Sequence, residues 1–408
     1  MKYYFVFLLI AAVPSVLQIL FGLSSYTQGF AINTSLTLCI ILVSKRFARY
    51  LRILLKKVKP EIYFCISLLA LLHFVMIVLK WHLGYPVDVI KYFVGLGSFV
   101  GLGLQAVFLS YIVRRIIHKK NNVAVSSFVI TYLVFGIIGI FGYTVFGSYN
   151  ARKPIFFDSE ISHYALGLVP LYCVWTVFAQ RWYVRWVGHL TVCVIGYLYQ
   201  STTLFIVLLA VILITSKAKV AFAVIAIAIG ALILGGEQVT YYTHRLSLNF
   251  NENAAENWAY LQGWQEAFLS FYDSYGLGVG LQQFGIIEPR GEIAQAGYLM
   301  SGGGYINRFD GGFGASKIIG EFGVLGVIFT AFLIVQVVRA ARKLRSLNMN
   351  LLQRKDQVTD VFGYSFIYVF FIYLFVRGGG YFAPNYVYLM SGLILVYFPR
   401  VASSLRGI

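Results

Sequence analysis

Apolar stretches of about twenty residues, the length a helix needs to cross a bilayer, follow one another almost without interruption along all 408 residues of the chain. Short charged or Gly/Pro-bearing segments separate them. Hydrophobic residues make up 59% of the sequence and charged ones 12%, with a mean hydropathy of +0.77; a soluble globular chain carries about 25% charged residues. Lipid is therefore the expected solvent.

The stretches read as helices at roughly 3–22, 25–44, 61–79, 92–113, 123–146, 163–180, 187–200, 202–216, 219–236, 315–338, 359–376 and 383–399. The expected fold is all-α, a polytopic transmembrane bundle of about 12 helices forming one integral-membrane domain over residues 1–408. The first stretch has a positive start but no convincing small-residue cleavage site, so it reads as a retained helix. Val187 to Ser216 is too long for one crossing and short for two. Its polar junction Tyr199-Gln200-Ser201-Thr202-Thr203 then sits at membrane depth, where polar backbone needs shelter from protein or a watery cavity.

A net charge of +18 raises the question of a nucleic-acid partner, but the positions of the charges answer against it. Most of the 33 Lys and Arg fall in alternate loops. The densest runs are Lys45 to Lys59, Arg114 to Lys120 and Arg339 to Lys355, joined by Lys2, Arg181, Arg185, Lys217, Lys219, Arg400 and Arg406. The same segments hold only Glu61, Asp356 and Asp360 of the 15 acidic residues, and the remaining loops are slightly acidic on balance. Such asymmetry follows the positive-inside rule, with the basic loops and both termini cytoplasmic. The four cysteines, Cys39, Cys65, Cys173 and Cys193, all lie in apolar stretches and imply no disulfide framework.

One long loop, residues 237–315 between the ninth and tenth helices, falls on the outer face and is too long for a plain connection. Within it Asn253 can cap a short helix with Trp258, Leu261, Trp264, Phe268 and Phe271 on one stripe, suited to the membrane interface or to packing on the bundle. Gly276, Gly278, Gly280 and Gly285 follow, then Gly297 and Gly302 to Gly304, which allow close backbone approach.

Charged groups in a membrane bundle are costly and mark function by default. On the outer side they gather in three places. The first is Arg152-Lys153-Pro154 followed by Asp158-Ser159-Glu160 and His163; the second is Arg245, Arg290, Arg308, Asp310, Lys317 and Glu321; the third is the turn at Arg377. Arginine's planar fork matches two phosphate oxygens, so several outer arginines point to an anionic ligand, although each singly also fits a snorkelling or loop-capping role. Glu160 and His163 stand three apart and share a helix face, as a base and its partner would. The same residues also fit an ordinary helix start, with Ser159 as cap and the acids placed by the helix dipole. The remaining histidines show no ligand spacing and no Asp-rich loop is present, so a metal-free mechanism without cofactor is expected.

Four stretches together resemble Wzy-type O-antigen polymerases, within the O-antigen polymerase and ligase group. They are Ser159-Glu160-Ile161-Ser162-His163-Tyr164-Ala165 with Pro170, Tyr260 to Trp264 leading to Gly278-Val279-Gly280-Leu281-Gln282-Gln283-Phe284-Gly285, Asp310 to Lys317 with Gly320-Glu321-Phe322-Gly323, and Arg377-Gly378-Gly379-Gly380-Tyr381-Phe382. Ile161 stands where that family tends to have Pro. The resemblance implies a GT-C-like fold in a Gram-negative inner membrane with a periplasmic active site. It implies transfer of a growing glycan from undecaprenyl diphosphate to the non-reducing sugar of a new undecaprenyl-diphosphate-linked repeat unit, with membrane lipid and a chain-length regulator as partners. On that reading Glu160 or His163 takes the acceptor proton, the arginines at 290, 308, 377, 152 and 245 with Lys153 hold the diphosphate, and aromatic side chains such as Tyr381 stack on sugars. A ligase using a lipid A core acceptor is the nearest rival. A flippase for the same lipid should show internal repeats and charge lining both faces, which are not found. A membrane acyltransferase lacks its His-containing motif here.

Overall fold

The computed structural model describes residues 2–23, 26–42, 44–118, 123–141, 158, 160–179, 181–217, 219–224, 226, 255–300, 303–305, 308–350, 357–378 and 380–398. Among them the chain is mostly helical, with no extended strand. The helices are α1 (Lys2–Ala11), α2 (Val13–Leu20), α3 (Tyr26–Leu42), α4 (Lys45–Lys57), α5 (Pro60–His82), α6 (Val89–His118), α7 (Val123–Ile140) and α8 (Ile161–Phe178). They continue with α9 (Trp182–Leu198), α10 (Thr202–Thr215), α11 (Ala255–Asp273), α12 (Glu292–Met300), α13 (Gly314–Asn350), α14 (Val358–Tyr368), α15 (Phe370–Phe375) and α16 (Pro384–Tyr397).

Six described helical segments are long and apolar enough to cross a membrane: Pro60–His82, Val89–Ile117, Val123–Ile140, Ile161–Phe178, Gly314–Asn348 and Val358–Phe375. The last joins α14 and α15 across a slight break at Val369. The central one is α8, buried on nearly every side, while α5 buries only His73 and Ile77 and turns Phe64, Ile66, Leu71, Leu72 and Leu79 outward. Outward leucines and phenylalanines on an apolar helix are what a lipid solvent permits, so the bundle is that of a membrane-embedded protein.

The structure redraws several of the expected spans. The first is two helices, α1 and α2, rather than one. Residues 187–216 do divide, into α9 and α10, with Gln200 in the left-handed region (φ 51°) and the Ser201 hydroxyl capping α10 by accepting from Leu204 N at 3.3 Å. The basic segment after α3, expected as a loop, is the amphipathic helix α4. Phe47, Tyr50 and Leu54 form its buried face, Tyr50 Oη lies 3.0 Å from Ser110 Oγ on α6, and its cations point outward. The helix expected at 219–236 falls largely outside the described residues, as does Asn253.

The long helix α13 is broken at Gly323, whose φ of 57° and ψ of −130° lie outside the helical region. Into that break docks the chain after α11: Val324 N donates to Gly276 O at 2.8 Å, Val279 N to Gly320 O at 2.9 Å and Gly280 N to Glu321 O at 3.0 Å. A side chain at Gly323 would strike the Gly276 carbonyl and one at Gly278 the Glu321 carbonyl, so both positions require glycine. The segment after α11 is thus pinned to the bundle by backbone pairing that only bare backbone allows.

Candidate active site

The starts of α6, α8 and α13 and the turn between α15 and α16 meet at one end of the bundle. Gly378 N donates to Gly312 O at 3.0 Å, laying the Arg377 turn on the turn that begins α13. Close contact at Gly378 with Phe313 and Gly314 leaves no room for a Cβ there. This docking carries Arg377 to Glu160, which stands just ahead of α8, with Nη2 2.7 Å from Oε1. His163, one turn into α8, lies within electrostatic reach of Glu160, Arg377 and Asp310. Burial alone would raise the Glu160 carboxyl; the charges of Arg377 and His163 outweigh it and hold the group below the usual carboxylate range, so it is ionised.

A second charged layer lies beneath. Lys317 Nζ is 3.2 Å from Glu321 Oε1, both side chains being almost fully buried, and donates to Phe309 O at 2.5 Å. The Glu321 carboxylate also accepts from Gln282 N at 3.0 Å and Phe284 N at 3.4 Å. Lys91, in the first turns of α6, sits 3.9 Å over the Phe309 ring and interacts with Asp88, Asp310, Lys317 and Glu321. Gln283 clamps the α5–α6 turn, accepting from Asp88 N at 2.9 Å and donating to Asp88 O at 2.9 Å. Beside this layer opens a cavity of about 500 Å3 lined by Tyr298, Tyr305, Arg308, Phe309, Asp310 and Glu288 among others.

The other residues singled out from the sequence fall as follows. Arg308 braces the loop, Nε donating to Gly285 O at 2.7 Å and Nη2 to Ile286 O at 3.0 Å, while Nη1 lies 3.8 Å from Glu288 at the cavity. Arg290 is exposed and paired with Asp273, so the structure does not gather it with Arg377 on common partners. Tyr381 is buried, its ring 5.4 Å below Lys317 Nζ. Arg152, Lys153 and Arg245 lie outside the described residues. On α11, Trp264 packs on Phe313 at 4.9 Å while Phe268 is exposed, so one helix both packs on the bundle and turns an aromatic outward. Lys91 and Asp88 stand outside the residues the sequence singles out, and Gln283 is among them only as part of the stretch Gly278 to Gly285. A cation in the first turn of an otherwise apolar helix was the available signal for Lys91.

Asp158 is buried and accepts a hydrogen bond from Ser15 Oγ at 2.5 Å. Burial pushes its carboxyl up from an ordinary 3.8 to about 7, against the smaller lowering effect of Ser15. A folded value above the unfolded one means stability that is full below about pH 4 and is lost as pH rises to about 7. The melting temperature of the purified protein is expected to fall between pH 5 and pH 8, and Asp158→Asn should remove that component. An unchanged slope in the variant would assign it to another group.

No protein-family model matches the chain, and comparison with curated proteins finds no match.

Proposed function

We propose that this chain is a surface-polysaccharide polymerase that moves a growing glycan from undecaprenyl diphosphate to the non-reducing sugar of a new lipid-linked repeat unit. The observation that carries this reading is the ionised Glu160 held against Arg377 at the helix ends, beside a cavity lined by Arg308 and Asp310. An acidic group near a phosphate-reading cation is what sugar transfer from a lipid diphosphate needs. The acceptor hydroxyl oxygen forms a bond to the donor's anomeric carbon, the bond from that carbon to the diphosphate oxygen breaks, and the hydroxyl proton passes to a base.

In the resting arrangement Glu160 is a weak base because Arg377 stabilises its charged form. A diphosphate offers Arg377 a doubly charged, bidentate partner, and as the guanidinium turns to it Glu160 loses that stabilisation. Its proton affinity then rises when donor is bound. His163 orients the carboxylate from the same helix face, and Arg377 with Arg308 stabilises charge developing on the leaving diphosphate. The buried Lys317–Glu321 pair holds the turn carrying Asp310 in place.

The finer architecture belongs to the same proposal: about twelve crossings of a GT-C-like bundle in a Gram-negative inner membrane, with the Glu160 end periplasmic. Reporters fused after Lys57 or Arg345 should then read cytoplasmic and one inserted near Gln295 external, because the basic loops stay inside. An external signal at Arg345 would reverse the orientation and place the site on the wrong side for a periplasmic reaction.

The deciding experiment is reconstitution of the purified protein with synthetic undecaprenyl-diphosphate-linked repeat units. A ladder of products longer by whole repeat units is the expected result. Transfer only to an added lipid A core acceptor would identify a ligase, and transbilayer movement without a new glycosidic bond would identify a flippase.

A further inference from the structure

The opposite end of the bundle carries α4, the C-terminal half of α13 and the ends of α6 and α16, where Arg114 Nη2 donates to Phe398 O at 2.8 Å. There a groove of about 440 Å3 opens between α13, α14 and α16. Arg339, Arg342, Lys343 and Ser346 line one wall at successive helical steps of three, one and three residues, so a single face of α13 presents three cations and a hydroxyl. Tyr364 of α14 and Tyr397 of α16 face them, and Tyr397 Oη is fixed by donating to Gln336 Oε1 at 2.6 Å.

Like charges three and four residues apart on a helix repel, and nothing in this stripe offsets them. Among the described residues none of the three cations forms an ion pair within 4.0 Å; Asp360 interacts with Lys343 only at longer range. The positive-inside rule explains cations on this side, but not their alignment on the one face that closes a groove with two tyrosines. Beyond the break at Gly323, Arg339 lies 16 residues on, about 24 Å along the unbroken part of α13 and so near the far side of a hydrocarbon layer about 30 Å thick. Val335 and Val338, exposed on the preceding turn, turn apolar side chains outward just before the cations begin. The groove therefore sits at headgroup depth.

We propose that this groove is a phosphate-binding site, remote from the Glu160–Arg377 cluster, in which Arg339, Arg342 and Lys343 hold the anion and the Tyr364 hydroxyl donates to it. Its chemistry fits the phosphodiester of an anionic phospholipid and equally a free inorganic pyrophosphate. The test uses delipidated full-length protein in a neutral detergent, titrated separately with dioctanoyl phosphatidylglycerol, dioctanoyl phosphatidylcholine and inorganic pyrophosphate, with bound adducts counted by native mass spectrometry. Each lost cation should weaken binding of the anionic lipid about fivefold, so R339Q/R342Q/K343Q should all but abolish it. Tyr364→Phe, which changes no charge, should weaken it by several fold. Arg345→Gln, whose side chain is not on the groove face, should change it less than twofold. Phosphatidylglycerol bound without pyrophosphate supports the site and makes the source a lipid; both bound with the same variant pattern supports it with the phosphate group sufficient. Undiminished binding in the triple variant, equal losses in Arg345→Gln, or equal retention of phosphatidylcholine would each overturn the proposal. All the substituted side chains are half-buried or exposed, so melting temperatures near wild type are expected throughout and serve as the folding control.

Discussion

Glu160→Gln is expected to leave the bundle folded and the donor bound, yet to lower glycan transfer by about 10² to 10⁴ fold, the usual cost of removing an acid-base group. Glutamine keeps the size of the side chain and an oxygen for Arg377, so the α8 start and the Arg377 turn should stay in register, 217 residues apart as they are in sequence. What it removes is the charge that can take a proton. Arg377→Ala should be as damaging for a different reason: it strips the leaving diphosphate both of its bidentate fork and of the positive charge beside it. Arg377→Lys separates the two roles. A lysine keeps the field at Glu160 but cannot hold two phosphate oxygens, so transfer should remain impaired if bidentate contact matters and recover largely if the field alone suffices. The measurement is polymer length and yield from matched amounts of purified variants on synthetic lipid-linked repeat units. Ladders of wild-type length from Glu160→Gln would reduce Glu160 to a helix-start residue and move the base to His163 or Asp158.

The second large effect is expected on stability. Glu321→Gln leaves the Lys317 ammonium charged and buried without its counter-ion, which costs about 3–5 kcal/mol in proteins generally. It should also loosen residues 276–285, whose backbone reaches α13 through Gly276 O and through N–H donors on Val279, Gly280, Gln282 and Phe284. The purified variant should melt lower and become protease-sensitive in this segment first. Adding Lys317→Met should recover much of the loss, since the orphaned charge is gone and the single oxygen of Gln at position 321 still accepts from one of the Gln282 and Phe284 amides. A Glu321→Gln protein that melts like wild type but fails to transfer sugar would give the pair a part in the chemistry instead. A double variant as unstable as the single would mean that the hydrogen bonds, and not the charge, dominate.

The two cases differ in how they could be foreseen. Glu160 and His163 stand out in sequence because they share the first turn of an apolar helix, where a charge has a reason to be present. Lys317 and Glu321 stand out in the same way, but nothing in their spacing tells a buried pair from two solvated ends of a helix face. Lys91 and Asp88 carry no local signal of their role because their partners lie 195 residues or more away, Phe309, Asp310 and Glu321 for Lys91 and Gln283 for Asp88. The basic run that forms α4 shows the converse. Its charges predict a loop, although Phe47, Tyr50 and Leu54 recur at helical spacing and supply the buried face.

By itself the sequence determined that this chain is apolar enough for lipid, that it is helical, and that most of its cations fall in alternate loops. Those properties are local or additive: the length of an apolar run sets whether it can cross, and each loop's charge acts on orientation without regard to the others. Only the tertiary structure decided that Arg377 meets Glu160, that α13 breaks at Gly323 to receive the segment after α11, and that Arg290 and Arg308 are taken up by Asp273 and by the Gly285 and Ile286 carbonyls. An ionic side chain in a low-dielectric bundle is governed by whichever partner packing brings within hydrogen-bond reach, and that choice is made by helices folding against one another, after the local pattern has been spent.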